Sequence, residues 1–141
     1  MKKLRVVDAH SCTGCRVCEL VCSFRRLEAF SPRMACIRVF KNEEEGIDTP
    51  IICRQCENAP CIEACPTRAL ARDDRTHAVV VSEEYCIGCG ECVEACPFGA
   101  VVVDAETHKA WKCDLCAGDP ECAKYCPTSA IQYVDSQEVH L

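Results

Sequence analysis

The stretch Cys86-Ile87-Gly88-Cys89-Gly90-Glu91-Cys92-Val93-Glu94-Ala95-Cys96-Pro97 decides how this chain folds. Its spacing, C-x2-C-x2-C-x3-C-P, is the thiolate pattern that holds a cubane [4Fe–4S] cluster. The first three cysteines can lie on a loop around one cube, while the fourth lies a helical turn further on. Zinc ribbons use C-x2-C pairs and need no third cysteine at this distance. Disulfides need an oxidising compartment. The opening residues Met1-Lys2-Lys3-Leu4 lead into a short polar–apolar stretch and not into an apolar secretory signal. The pair Arg25-Arg26 is not followed by an apolar run either. The cysteines are therefore read as iron–sulfur ligands.

Three further groups share this grammar. The first is Cys12-Thr13-Gly14-Cys15-Arg16-Val17-Cys18-Glu19-Leu20-Val21-Cys22, where Ser23 stands in place of the proline. The second is Cys53, Cys56, Cys61 and Cys65 with Pro66, and the fourth is Cys113, Cys116, Cys122 and Cys126 with Pro127. In these two the gap before the third cysteine widens, and Pro60, Gly118 and Pro120 shape the extra loop. Cys65, Cys96 and Cys126 each open a second repeat, C-P-x-x-A-aliphatic, ending at Leu70, Val101 and Ile131. It carries the chain from a ligand helix, through a proline stop, into a strand. Without that proline, the first unit is expected to leave its helix differently.

Composition agrees. Of 141 residues, 49% are hydrophobic, but 17 of these are cysteine. Setting them aside leaves roughly 37%, below the ~45–50% usual for a globular chain. Metal binding must then supply part of the folding free energy. The formal charge is −6, and four oxidised cubes with their thiolates would bring it to about −14. Such a surface repels nucleic acid and favours basic docking faces. No stretch approaches the ~18 apolar residues of a membrane span, so a soluble protein of a reducing, oxygen-poor cytoplasm is expected.

Strands are predicted at residues 4–9, 35–40, 78–81, 100–103 and 131–134, and a helix from Arg16 to about Leu27. Polar turns are predicted at 42–46, 72–77 and 104–109, with a frayed polar tail. Cys36, the one cysteine outside the groups, reads as a buried small hydrophobe. Gly14 calls for positive φ between two ligands. Amides near Gly14, Gly88, Gly90 and Gly118 are candidate donors to sulfur. His10, His77, His108 and His140 look scattered, with His10 at the surface. Trp111 reads as a cover over a cube. Arg25, Arg26, Arg33 and Arg38 read as a solvated face.

In two-cluster proteins of this kind the fourth cysteine of each run ligates the other cluster. Spacing alone leaves two pairings open: first with second and third with fourth, or first with fourth around an inner pair. From residue 8 to residue 134 the chain resembles the four-cluster, ferredoxin-like electron-transfer subunits of molybdenum and tungsten oxidoreductases and of related hydrogenase, formate dehydrogenase and carbon monoxide dehydrogenase systems. The run Cys113-Asp114-Leu115-Cys116-Ala117-Gly118-Asp119-Pro120-Glu121-Cys122 looks most like the small subunits that accompany tungsten-dependent aldehyde oxidoreductases. The resemblance implies an α+β fold of two ferredoxin-like βαββαβ-type dicluster modules, one nested in the other. The outer module would comprise residues 1–50 and 104–141, the inner one residues 51–103. It implies that one cube is held by Cys12, Cys15, Cys18 and Cys126, and a second by Cys22, Cys113, Cys116 and Cys122. The third would take Cys53, Cys56, Cys61 and Cys96, and the fourth Cys65, Cys86, Cys89 and Cys92. The short end after the last strand, without a membrane anchor, fits a soluble partner.

Four cubes within a radius of gyration of about 14 Å are close neighbours. Such a row makes a wire for single electrons. The sequence has no G-x-G-x-x-G and no P-loop, and no catalytic residues are read from it, so it is expected to serve a larger catalytic oxidoreductase subunit with a tungstopterin or molybdopterin. A flavin or ferredoxin partner, and higher assemblies, are compatible with exposed ends of the wire. A free polyferredoxin is the other reading, and an assembly or redox-sensing protein a third. Iron and acid-labile sulfide analysis of the anaerobically purified protein is expected to give about sixteen iron atoms per chain; eight or fewer would contradict four cubes.

Overall fold

Each helix carries the third cysteine of a group, and three of the four end against the last one. The computed structural model describes residues 2–6 and 9–135. Helix α1 is Val17–Leu27, α2 Pro60–Ala64, α3 Glu91–Ala95 and α4 Glu121–Tyr125. The residues that cap α2, α3 and α4 are Cys65, Cys96 and Cys126, with φ/ψ of −76/116, −79/114 and −68/114. This is the extended conformation that a following proline imposes on its predecessor. Those helices therefore stop after five residues. With Ser23 in place of proline, α1 continues past Cys22 for eleven residues in all.

The strands are β1 Lys2–Val6, β2 Arg38–Asn42, β3 Ile47–Ile51, β4 Leu70–Arg72, β5 Val79–Val81, β6 Val102–Val103, β7 Ala110–Trp111 and β8 Ile131–Asp135. They form four antiparallel pairs: β1 with β8, β2 with β3, β4 with β5, and β6 with β7. The first pair joins the two ends of the described chain, Val6 lying opposite Ile131. Helix α1 packs on α4, and α2 on α3. This is a small α+β protein of short sheets and few helices.

Several strand limits differ from the sequence reading. The first strand is described from Lys2 to Val6 and does not reach Ala9, because Ala9–Ser11 forms a 3-10 turn; Val7 and Asp8 lie outside the described residues, as do the tail beyond Asp135 and His140. Ala35, Cys36 and Ile37 are buried but precede β2, because the 3-10 turn Pro32–Met34 delivers them to the core before pairing starts. The segment at 100–103 pairs only from Val102, since Ala100 and Val101 go into the core. In the C-P-x-x-A repeat the residue before the alanine is left-handed every time: Arg68 φ 58, Gly99 φ 66 and Ser129 φ 56. Ala69, Ala100 and Ala130 are buried behind it.

The two polar turns are one device used twice. Asp73 accepts from the Arg75 and Thr76 amides at 2.8 and 2.9 Å, and Asp104 from the Glu106 amide at 3.2 Å. Backbone N–H groups, Thr76 first at Asp73 and Glu106 first at Asp104, hold both carboxyls below the usual range. His77 and His108 close these turns with φ of 62 and 58. They are equivalent positions of a D-x-x-T-H repeat and not scattered.

Two cores result. One collects Leu4, Cys22, Ile37, Val39, Ile52, Leu115 and Ile131; the other Leu70, Val79, Cys86, Cys92 and Val101. Trp111 packs against the first. Its indole N–H donates to the Met34 carbonyl, and the Arg26 guanidinium lies 4.2 Å from the ring centroid.

Ser23 is fully buried. Its hydroxyl donates to the Leu20 carbonyl at 2.9 Å and accepts from the Ser31 amide at 3.0 Å, tying the loop after α1 back onto the helix. Ser23→Ala leaves that amide unpaired and is expected to cost about 1–3 kcal/mol. Thermal unfolding of the iron-loaded protein checks this as a Tm lower by several degrees.

Candidate iron–sulfur ligand sites

The ligand loops share one backbone solution. The residue just before the second cysteine is left-handed in all four groups: Gly14 φ 70, Gln55 φ 46, Gly88 φ 73 and Leu115 φ 59. That conformation costs an ordinary residue about 1–2 kcal/mol. Gln55 and Leu115 bear it because their side chains are almost wholly buried and bonded or packed. Gly88 has a second reason to lack a side chain: a Cβ there would lie 2.1 Å from the His108 carbonyl oxygen. At Gly90, also left-handed, a Cβ would meet nothing within 4 Å.

Cysteines from different groups line common cavities. Cys65 meets Cys86, Cys89 and Cys92 around one small cavity. Cys22 meets Cys113, Cys116 and Cys122 around a second, with Cys36 and Cys53 in its wall. Cys53, Cys56 and Cys61 meet Cys96 around a third. The last two cavities adjoin, since Cys53 lines both. Cys12 and Cys15 lie near enough to Cys18 to disfavour its ionisation, and Cys126 caps α4, which packs on α1. Cys15 and Cys89 are exposed, whereas Cys22, Cys53 and Cys122 are buried. Among the described residues no three His, Cys, Asp or Glu side chains converge on a single ion; the sulfurs line cavities instead.

The bare thiols show what these cavities need. Burial pushes Cys18 and Cys113 up to about 12, backbone N–H groups opposing it. Burial raises Cys122 as well, with Cys113 adding to it. Such sulfurs become thiolates only when a metal cation takes the charge, so loading must release protons. Cys22 is the exception. A hydrogen bond from the Cys36 side chain, against the effect of burial, holds it down at about 6. Soft sulfur donors from two groups lining one cavity fit the donor chemistry of cubane clusters.

The described amide donors to sulfur are Cys36 N–H to Cys22 Sγ at 3.3 Å, Ala69 to Cys65 at 3.2 Å, Ala110 to Cys86 at 3.3 Å and Leu115 to Cys113 at 3.4 Å. They lie at strand starts and loop bends and not at the ligand-loop glycines, whose part is curvature. Several ligand-loop carbonyls face outward, where cations meet them. Arg72 donates to Cys56 O at 2.6 Å, Lys109 to Cys86 O at 2.5 Å, Arg25 to Cys116 O at 3.3 Å and Arg26 to Lys112 O at 2.8 Å. Arg25 stays exposed, as the solvated-face reading expects, while the half-buried Arg26 ties α1 to the fourth group, and that reading fails for it. Arg33 makes an exposed ion pair with Glu106. Cys36 is buried as expected, but its place in a ligand cavity was not legible, nor was the burial of Gln55 and Lys112. All three depend on contacts far apart in the chain.

Comparison with known proteins gives the same picture. Residues 44–136 match the 4Fe-4S dicluster domain, and residues 9–25 the 4Fe-4S binding domain. The chain is 44% identical over 121 residues to the polyferredoxin-like subunit of an aliphatic sulfonate oxidoreductase from Pyrococcus furiosus, covering 86% of this chain and 69% of that one. It is 36% identical to the electron transport protein HydN of Escherichia coli K12, covering 99% and 91%. In fold it resembles a chain of the active site complex BamBC of benzoyl coenzyme A reductase, with a TM-score of 0.57 at 23% identity, covering 95% and 76%. Among the described residues no helix is long and apolar enough to cross a membrane.

Gly88→Ala sets a methyl against backbone and is expected to lose the iron held by Cys86, Cys89 and Cys92. Gly90→Ala meets only the conformational cost of about 1–2 kcal/mol and is expected to keep its iron. Iron content after gel filtration separates the two.

Proposed function

The chain belongs to the 4Fe-4S dicluster ferredoxin-like family, and from that premise we propose that it is a four-cluster electron conduit serving a larger catalytic oxidoreductase subunit. It is an iron–sulfur electron-transfer protein of the type found as subunits of oxidoreductases. The observation that carries the four-cluster reading is the lining of the cavities: three join cysteines of two groups in the nested pattern. In that pattern Cys12, Cys15, Cys18 and Cys126 hold the remaining cube. The outer module takes residues 1–50 and 104–141, the inner one residues 51–103, and β6–β7 links the two.

The order of the wire follows from the helices and from Cys53, which lines both middle cavities. Each carries two ligands of neighbouring cubes at its third and fourth cysteines: Cys18 and Cys22, Cys61 and Cys65, Cys92 and Cys96, Cys122 and Cys126. The row runs from the cube at Cys15, through the two middle cubes, to the cube at Cys89. The exposed cysteines are at its ends, where electrons would enter and leave. When bound, the clusters accept and release single electrons. The chain's own part is to bury them, hold the sulfurs and set hydrogen bonds on them. The named subunit from Pyrococcus furiosus supports a fixed catalytic partner. The short fourth-group loop supports a tungstopterin or molybdopterin enzyme of the aldehyde oxidoreductase type. The cellular place proposed is the cytoplasm.

Two measurements test this. Native anaerobic purification through a tag on this chain is expected to bring a larger pterin-containing subunit with it. Recovery of the chain alone would replace the subunit reading with a diffusing polyferredoxin. Nested pairing places Cys56 and Cys96 on one cube, so Cys56→Ala combined with Cys96→Ala is expected to lose about four iron atoms. A loss of about eight would favour tandem pairing.

A further inference from the structure

Lys112 is 2% exposed, and its ammonium lies near enough to Cys61 and to Cys113 to favour ionisation of both. It donates to Val79 O at 2.6 Å and to Cys113 O at 2.9 Å. An ammonium has three donors. The side chain also lines the cavity of Cys53, Cys56, Cys61 and Cys96, while Cys113 lines the neighbouring one. Among the described residues no carboxylate forms an ion pair with it. Buried charges are normally paired, because an isolated ammonium away from water is strongly disfavoured. Gln55, 1% exposed, fixes the same seam: its Nε2 donates to Cys113 O at 3.0 Å, and its Oε1 accepts from Val79 N at 2.8 Å. Lysine and glutamine thus meet at one carbonyl, and together they lock residues 55, 79 and 112–113 against each other.

We propose that Lys112 is the shared counter-cation of the two middle clusters, the one held by Cys22, Cys113, Cys116 and Cys122 and the one held by Cys53, Cys56, Cys61 and Cys96. The inference rests on the four-cluster reading above. A cube with four thiolates is anionic, and reduction adds one more negative charge. A fixed cation beside it stabilises the reduced form more than the oxidised form, and burial keeps water from screening the difference. Lys112 therefore raises the potential of the middle of the wire relative to its ends. It is a positioning and tuning residue that takes no part in bond making.

Redox titration followed by electron paramagnetic resonance tests this on the whole iron-loaded protein. Lys112→Met keeps the length of the side chain and removes the charge. At a fixed potential it is expected to lower the reduced fraction of one or both middle clusters about tenfold, a midpoint shift of about 59 mV for one electron. Gln55→Glu sets a carboxylate beside the ammonium and is expected to move the same midpoints in the same direction. A Lys112→Met protein with full iron and four unmoved midpoints overturns the proposal. Should that variant lose iron, Lys112→Gln, which removes the charge and keeps a hydrogen-bond donor, decides: lowered midpoints support the proposal, and unmoved ones overturn it. Wild-type iron content and the number of wild-type midpoints test the four-cluster reading separately.

Discussion

A thiolate buried away from water is unstable until a cation takes its charge, and the fold is arranged around that constraint. The chain has sixteen grouped cysteines and few other large core residues. Both hydrophobic cores include cysteines of the four groups, Cys18, Cys22 and Cys122 in one and Cys86 and Cys92 in the other. Sulfurs that close a core and also take the metal would make folding and iron binding one equilibrium. The short helices and two-residue ribbons would not stand alone; isolated helices this short are marginal in water.

Proline turns this constraint into connectivity. A cysteine before proline is driven out of the helical region, so Cys65, Cys96 and Cys126 finish their helices in extended conformation. Cys65 and Cys96 then line a different cavity from the cysteines that precede them. The left-handed residue after each Pro-x pair turns the chain into its strand. In two of the three repeats an amide or hydroxyl returns toward the cysteine sulfur: Ala69 and Thr67 at Cys65, and Thr128 at Cys126. The first group does without proline, and there Ser23 and Cys36 take over. Ser23 binds the loop back onto α1, and that loop delivers the Cys36 amide to Cys22.

Much of this was legible in the sequence, because ligand spacing is local. The four groups, the proline stops, the helix through Cys18 and Cys22 and the two polar turns all follow from residues within a few positions of one another. The limits of β2 and β6 did not, because partners rather than propensity set where pairing begins. β7 has only two residues, too few for any pattern. The role of Arg26 was misread for a related reason: it looks like a surface charge in sequence, but it answers the Lys112 carbonyl, far away in the chain. Loops that turn amides toward sulfur leave carbonyls facing outward, and cations are the natural partners for them.

The central claim is that four cubes sit in one row close enough to pass electrons. Electron paramagnetic resonance of the fully reduced, iron-loaded protein tests it most directly. The account predicts about four unpaired spins per chain, with spectra broadened and split by magnetic coupling between neighbouring clusters. About two spins per chain, or sharp signals free of coupling, would contradict it.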